Sequence, residues 1–174
     1  FTLYQNLGFG FDPLIKINNP NYTINNGTVT IAASNAFDPK AQVIINTGTL
    51  NLGTYSVKVG SLAGTVNGTL TGGAGSLLTM QYPTTDAANI RTTFDGLITG
   101  AISLYKTFPP SYTSTLTQHG ALTLTNSNTY TGTTTIDRGS IIITSNNALG
   151  STSGKTIVSY GQATPDLSEK QGGT

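Results

Sequence analysis

The sequence predicts an all-β protein built as a β-solenoid, with coils of about 20 residues and one or two extruded loops. Three observations lead there. Apolar and polar residues alternate in short bursts introduced by Gly or Asn: Val29 shares a face with Ile31, Leu50 with Leu52, and Tyr55 with Val57 and Val59, the period of a half-buried strand. Strand-leading glycines recur at Gly27, Gly48 and Gly68, then less regularly at Gly100, Gly120 and Gly139, a spacing that suits one solenoid coil. Helical spacing is absent from the pattern. A sandwich of antiparallel hairpins, the competing architecture, would put turn signals every 8 to 12 residues or so, shorter than the glycine interval.

Taken in order, residues 1–24, "FTLYQNLGFGFDPLIKINNPNYTI", are aromatic-rich and stand before the repeated pattern. They are expected to cap the first coils or to add a strand to a neighbouring subunit. Residues 25–162 form the repeat region, and 163–174 a tail or the start of a link to a further module. Within the repeat region, "GTVTIAASNAF" at 27–37 matches "GSIIITSNNAL" at 139–149 without a gap. The match implies one unit of about 112 residues and the beginning of another, as in a longer array. Residues 84–98, "TTDAANIRTTFDGLI", are rich in Thr and poor in helix formers, and read as a loop with at most one helical turn. The stretch "YKTFPPSYTSTLTQH" at 105–119 contains a Pro-Pro pair and is the expected extruded loop.

Composition narrows the function. Only 9% of the 174 residues are charged, against roughly 25% in ordinary soluble domains, and Thr, Asn, Ser and Gly take their place. The net charge is +1 and the eight basic residues lie singly, so there is no patch for nucleic acid or an anionic membrane. Without cysteine there are no disulfides or thiolate metal sites. No apolar run approaches the roughly 18 residues that cross a bilayer.

The stretch "GALTLTNSNTYTGTTTIDRGSIIITSNNALG" resembles the passenger-associated repeat of bacterial autotransporters, also called the autotransporter-associated β-strand repeat. The landmarks are Gly120, Leu122, Leu124, Asn128, Thr129, Tyr130, Thr131, Gly132, Thr134, Ile136, Gly139 and Ile141. Upstream, "VGSLAGTVNG" from Val59 and "TTFDGLITG" from Thr92 resemble two further elements of that family. The resemblance implies a right-handed parallel β-helix, exported through a C-terminal outer-membrane β-barrel that is not in this sequence. It also implies a cell-surface or secreted stalk, often adhesive. On this reading Leu122, Leu124 and Ile136 face the core, Tyr130 and Gly132 mark a corner, and the threonines face outward or form ladders with the coils above and below.

Parallel β-helices also host polysaccharide-acting enzymes, whose sites need several acids converging on one groove. The seven acids here are Asp12, Asp38, Asp86, Asp95, Asp137, Asp166 and Glu169, widely scattered. Asp38 with Lys40 and Asp137 with Arg138 read as solvated turn residues. A nucleophilic triad would have to be built on His119, the single histidine. "GGAGS" at 72–76 lacks the Lys-Ser/Thr of a phosphate loop and the Asp of a calcium nonapeptide. No catalytic residue, cofactor or metal is therefore assigned. The expected contact residues are the aromatics beside the irregular stretches, Tyr82, Tyr105, Phe108 and Tyr112, because loops on a rigid scaffold carry binding surfaces.

The function expected is a surface-exposed structural or adhesive segment, with a glycan or a host or matrix protein as partner. End-to-end self-association into an extracellular filament is the alternative. No nucleic-acid partner and no membrane insertion by this segment are expected.

Overall fold

The computed structural model describes residues 2–3, 21–81, 91–107 and 120–159. Among them there are strands and turns but no helix. In chain order the strands are β1 (Thr2–Leu3), β2 (Asn21–Ile24), β3 (Thr28–Ile31), β4 (Gln42–Asn51), β5 (Ser56–Val59), β6 (Ser61–Gly72) and β7 (Leu77–Gln81). They continue with β8 (Arg91–Phe94), β9 (Leu97–Gly100), β10 (Ser103–Thr107), β11 (Ala121–Leu124), β12 (Thr134–Ile136), β13 (Ser140–Ile143) and β14 (Thr156–Val158).

The strands make two sheets, one of nine strands along β1-β3-β4-β6-β8-β11-β13, with β2 on β4 and β9 on β6, and one of five in the order β14-β12-β10-β7-β5. Every described pairing is parallel. Registers fall into two groups. The short step is 21 residues from Asn21 to Gln42, 19 from Gln42 to Ser61, 21 from Ser56 to Leu77 and 19 from Ala121 to Ser140. The long step is 30 from Gly64 to Phe94, 26 from Leu77 to Ser103 and 30 from Arg91 to Ala121. These three long steps span residues 82–90 or 108–119, which hold parts of the two irregular stretches read from the sequence and lie outside the described residues.

In-register parallel pairing turns alternation along each strand into columns across the sheet. Val43, Leu62, Leu122 and Ile141 are buried in one such column, with Thr92 between Leu62 and Leu122. Val59, Met80, Lys106 and Ile136 form another. Burying each aliphatic side chain contributes about 1.5 to 3 kcal/mol. Outward positions hold polar ladders: Asn46 Nδ2 donates to Asn25 Oδ1 at 2.9 Å, and Thr129 Oγ1 to Thr99 Oγ1 at 3.0 Å.

Five of the strand-leading glycines, Gly27, Gly48, Gly100, Gly120 and Gly139, have positive φ, where side chains are strained. The sixth, Gly68, is needed for space, since a Cβ there would lie 2.2 Å from the Ile45 carbonyl oxygen. Leu122, Leu124 and Ile136 are buried as expected, but Tyr130 does more than mark a corner: it is fully buried.

Three expectations are corrected. Residues 91–98 are not a loop, because Arg91–Phe94 and Leu97–Gly100 are strands whose Thr92, Phe94 and Ile98 point into the core. Alternation over four residues suffices when a strand is already waiting to pair. Tyr55 does not join Val57 and Val59 inside; it precedes β5 and is exposed. The eleven-residue match between 27–37 and 139–149 does not mark equivalent positions. The Gly27 strand, β3, stacks on the second half of β4, which continues through the second half of β6 to β9. The Gly139 strand, β13, stacks on β11 and β8, which lead back to the first half of β6. The same local pattern serves both positions: positive-φ glycine, short strand, then a turn that buries Ala36 or Ala148.

Candidate functional site

A cavity of about 800 Å³ opens at the β5 end of the five-stranded sheet, within the size range of ligand sites. Its position follows from the register. Residues 35–38 stand one 21-residue step ahead of Ser56–Val59, the step that relates β2 to β4. They form turns instead of a strand. Among the described residues the sheet therefore stops at β5, and the cavity lies between residues 34–39 and the outward positions of β5 and β7.

The turn that replaces the strand is specified locally. Asp38-Pro39-Lys40-Ala41 has the acid first and proline second, the preferred order for a type I turn. The Ala41 amide donates to the Asp38 carbonyl at 2.9 Å, and the Lys40 amide to Asp38 Oδ1 at 2.8 Å. Gly60 receives the turn: its amide donates to the Ala41 carbonyl at 2.7 Å, and a Cβ at Gly60 would lie 2.5 Å from the Lys40 carbonyl oxygen. Behind the turn, the Tyr22 and Phe37 rings meet edge to face, 5.0 Å between centroids at 61°, a favourable arrangement. Lys58 and Thr79, on the outward positions of β5 and β7, line the other side.

The column containing Lys58 and Thr79 continues to Tyr105, then Thr135 and Ile157. Tyr105, expected as a contact residue, is thus a half-buried side chain on the outer side of the five-stranded sheet, two strands from Lys58. Burial, and then the Asp137 carboxylate, raise its phenol above the ordinary value. Asp137 Oδ2 also accepts from Thr107 Oγ1 at 2.8 Å and lies 3.8 Å from Arg138 Nε. Tyr82, Phe108 and Tyr112 lie outside the described residues, as does His119. The sequence reading missed the cavity because its residues are ordinary one by one. Counting one coil back from Ser56 and finding Asp-Pro near the expected strand was the available signal.

Asn128, Tyr130 and Gly132 have structural employment. Asn128 Oδ1 accepts from the Ile98 amide at 2.8 Å and its Nδ2 donates to the Ala148 carbonyl at 2.7 Å. Tyr130 hydroxyl and Thr134 Oγ1 are 2.6 Å apart, and burial pushes the phenol up to about 12. A Cβ on Gly132 would lie 2.0 Å from the Ile102 carbonyl oxygen.

Lys106 was also missed. It is fully buried between Met80 and Ile136, its Nζ donates to the Thr107 carbonyl at 3.2 Å, and burial lowers the ammonium to about 7. Among the described residues no group of three or more His, Cys, Asp or Glu side chains could hold a metal ion.

Fold and cavity together define an all-β protein of parallel sheets with an open groove at the end of one sheet. No protein-family model, curated protein or solved structure matches this chain.

Proposed function

We propose that the chain is a segment of an extracellular β-solenoid, an autotransporter-like passenger that acts as a rigid stalk on a bacterial surface and presents loops for adhesion. The observation that carries this reading is the in-register parallel stacking at steps of 19 to 30 residues. In the reading, the two sheets are faces of one winding coil, right-handed as parallel crossovers almost always are. A surface of neutral Thr and Asn ladders suits a stalk that must stay soluble without strong charge. The three acids among the described residues, Asp38, Asp95 and Asp137, accept from the Lys40 amide, the Thr125 hydroxyl and the Thr107 hydroxyl.

The test of export is display. Placed between an export leader and an outer-membrane translocation barrel, the segment should reach the surface of intact Gram-negative cells and become accessible to antibody; retention inside would count against the reading. Adhesion is tested by a glycan and matrix-protein screen beside a variant with residues 108–112 replaced by Gly-Ser. Loss of binding in the variant supports loop-borne adhesion, and equal binding removes it.

A second reading, a subunit stacked end to end in a filament, is favoured by β14. Ile157 and Val158 are 44% and 42% exposed there, on the last strand of the five-stranded sheet. Fibres that grow with concentration and vanish in Ile157→Lys would support it; a monomer in sedimentation at millimolar protein would end it.

A further inference from the structure

The groove beside β5 fits an extended polypeptide. Among the described residues β5 is the terminal strand of its sheet, so one row of its backbone amides and carbonyls faces away from β7, and Ser56, Val57 and Lys58 line the cavity. No backbone hydrogen bond joins Ser56–Val59 to residues 34–39 across that space. A parallel sheet that ends with such a row is a template for one more strand, and the cavity of about 800 Å³ is bounded by Ser56, Val57 and Lys58 of that strand on one side and by residues 34, 35 and 37–39 on the other. We propose that this groove is a strand-addition site, in which an extended segment of another polypeptide pairs with β5 and completes the place that the 35–38 turns leave without a strand.

The lining sets what that segment carries. Val57 and Val59 point inward and Ser56 and Lys58 outward, so the added strand must alternate in the same sense. Val57 and Val59 are fully buried and Phe37 nearly so, so the added strand's inward side chains meet Tyr22 and Phe37 in little space, which calls for small aliphatic residues. Its outward side chain falls beside Lys58, an exposed cation, which calls for an acid there. The partner is therefore an extended aliphatic-acidic-aliphatic stretch. A saccharide could use the rings and hydroxyls, but it would leave the β5 backbone row unread. Nothing in this inference depends on the export or adhesion of the chain.

The probe is the capped peptide acetyl-Thr-Val-Glu-Val-Thr-amide, titrated into the full chain by NMR. Saturable shifts and slowed amide exchange at Ser56–Val59 are expected. A peptide N-methylated along the edge that faces β5 should not bind. Lys58→Glu, at an exposed position that leaves the core untouched, should weaken the Glu peptide by about tenfold and favour its Lys counterpart, acetyl-Thr-Val-Lys-Val-Thr-amide. Circular dichroism of Lys58→Glu shows whether the variant is folded. Absence of shifts at β5 with the Glu peptide, an unchanged peptide preference in folded Lys58→Glu, or shifts there only with a neutral oligosaccharide such as cellohexaose would overturn the proposal.

Discussion

Lys106 is the residue whose chemistry reaches furthest. An amine held at about 7 when folded and near its ordinary 10.4 when unfolded binds its proton more weakly in the folded chain. Its burden is therefore greatest at low pH and lifts as pH rises from about 7 toward 10. Between pH 6 and pH 10 the gain is on the order of 4 kcal/mol, visible as a rising urea midpoint. Tyr130 acts in the opposite sense further up. Its phenol, held at about 12 when folded, costs stability as pH climbs past the unfolded value near 10. Stability should peak near pH 10, and Lys106→Met, matching its neighbour Met80, should flatten the rise and raise the midpoint at pH 6. Urea melts of both proteins from pH 6 to 11 check this, and a flat profile in the parent would refute it. Asn128 stabilises the fold by a measurable amount. Asn128→Leu leaves the Ile98 amide and the Ala148 carbonyl without their partners, for a loss of about 2 to 5 kcal/mol. A loss below about 1 kcal/mol would mean that water replaces the side chain.

At the level of strands, glycine sets how closely neighbours approach. Gly64 lies opposite Phe94, and Gly96 lies against the same ring: a Cβ on Gly64 would meet the Ile45 carbonyl oxygen at 2.2 Å and the Phe94 ring at 2.9 Å, while one on Gly96 would meet the ring at 2.6 Å. Gly64→Ala should therefore cost about 3 kcal/mol or cause misfolding. Gly75 has φ +85 but open space around its missing Cβ, so Gly75→Asn should stay within about 1 kcal/mol. Thermal melts of the two variants give the comparison; similar losses would show that backbone conformation, not crowding, governs these positions. The contrast explains what the sequence made legible. Alternation revealed the strands at 28–31, 56–59 and 121–124, because one buried face leaves a period of two in any window. It did not place β8, where Thr92 and Thr93 alternate buried and exposed with the same residue type, so hydropathy carries no trace of the fold. It also misread the eleven-residue match, because local pattern records the bend a segment makes and not the sheet it joins. The β5 groove was harder to read for a related reason: it is made where a strand fails to form, and in the sequence only Asp38-Pro39, one coil before β5, signals the gap.

Across the whole molecule, one geometry repeats. Each described strand pairs in parallel with a strand one step away, and the five-stranded sheet runs from β5 at the groove to β14. The terminal strands differ: one borders a concave groove with an aromatic pair, the other presents Ile157 and Val158. This polarity is consistent with a stalk or filament subunit that meets different neighbours at its two ends. The same stacking has a mechanical outcome. Backbone hydrogen bonds between strands run along the direction in which strands accumulate, so tension on that axis loads successive strand pairs in series, and the weakest outermost pair opens first. Pulled from its two ends in an optical trap, the chain should lengthen in small jumps at low force, not in one high-force rupture. Steps of 19 and 30 residues should release up to about 65 and 105 Å of contour. A single jump of the whole length would show that the layers yield as one body. If the two sheets wind as the proposed coil, the series arrangement should let the protein yield one layer at a time under load and pair again when the load passes.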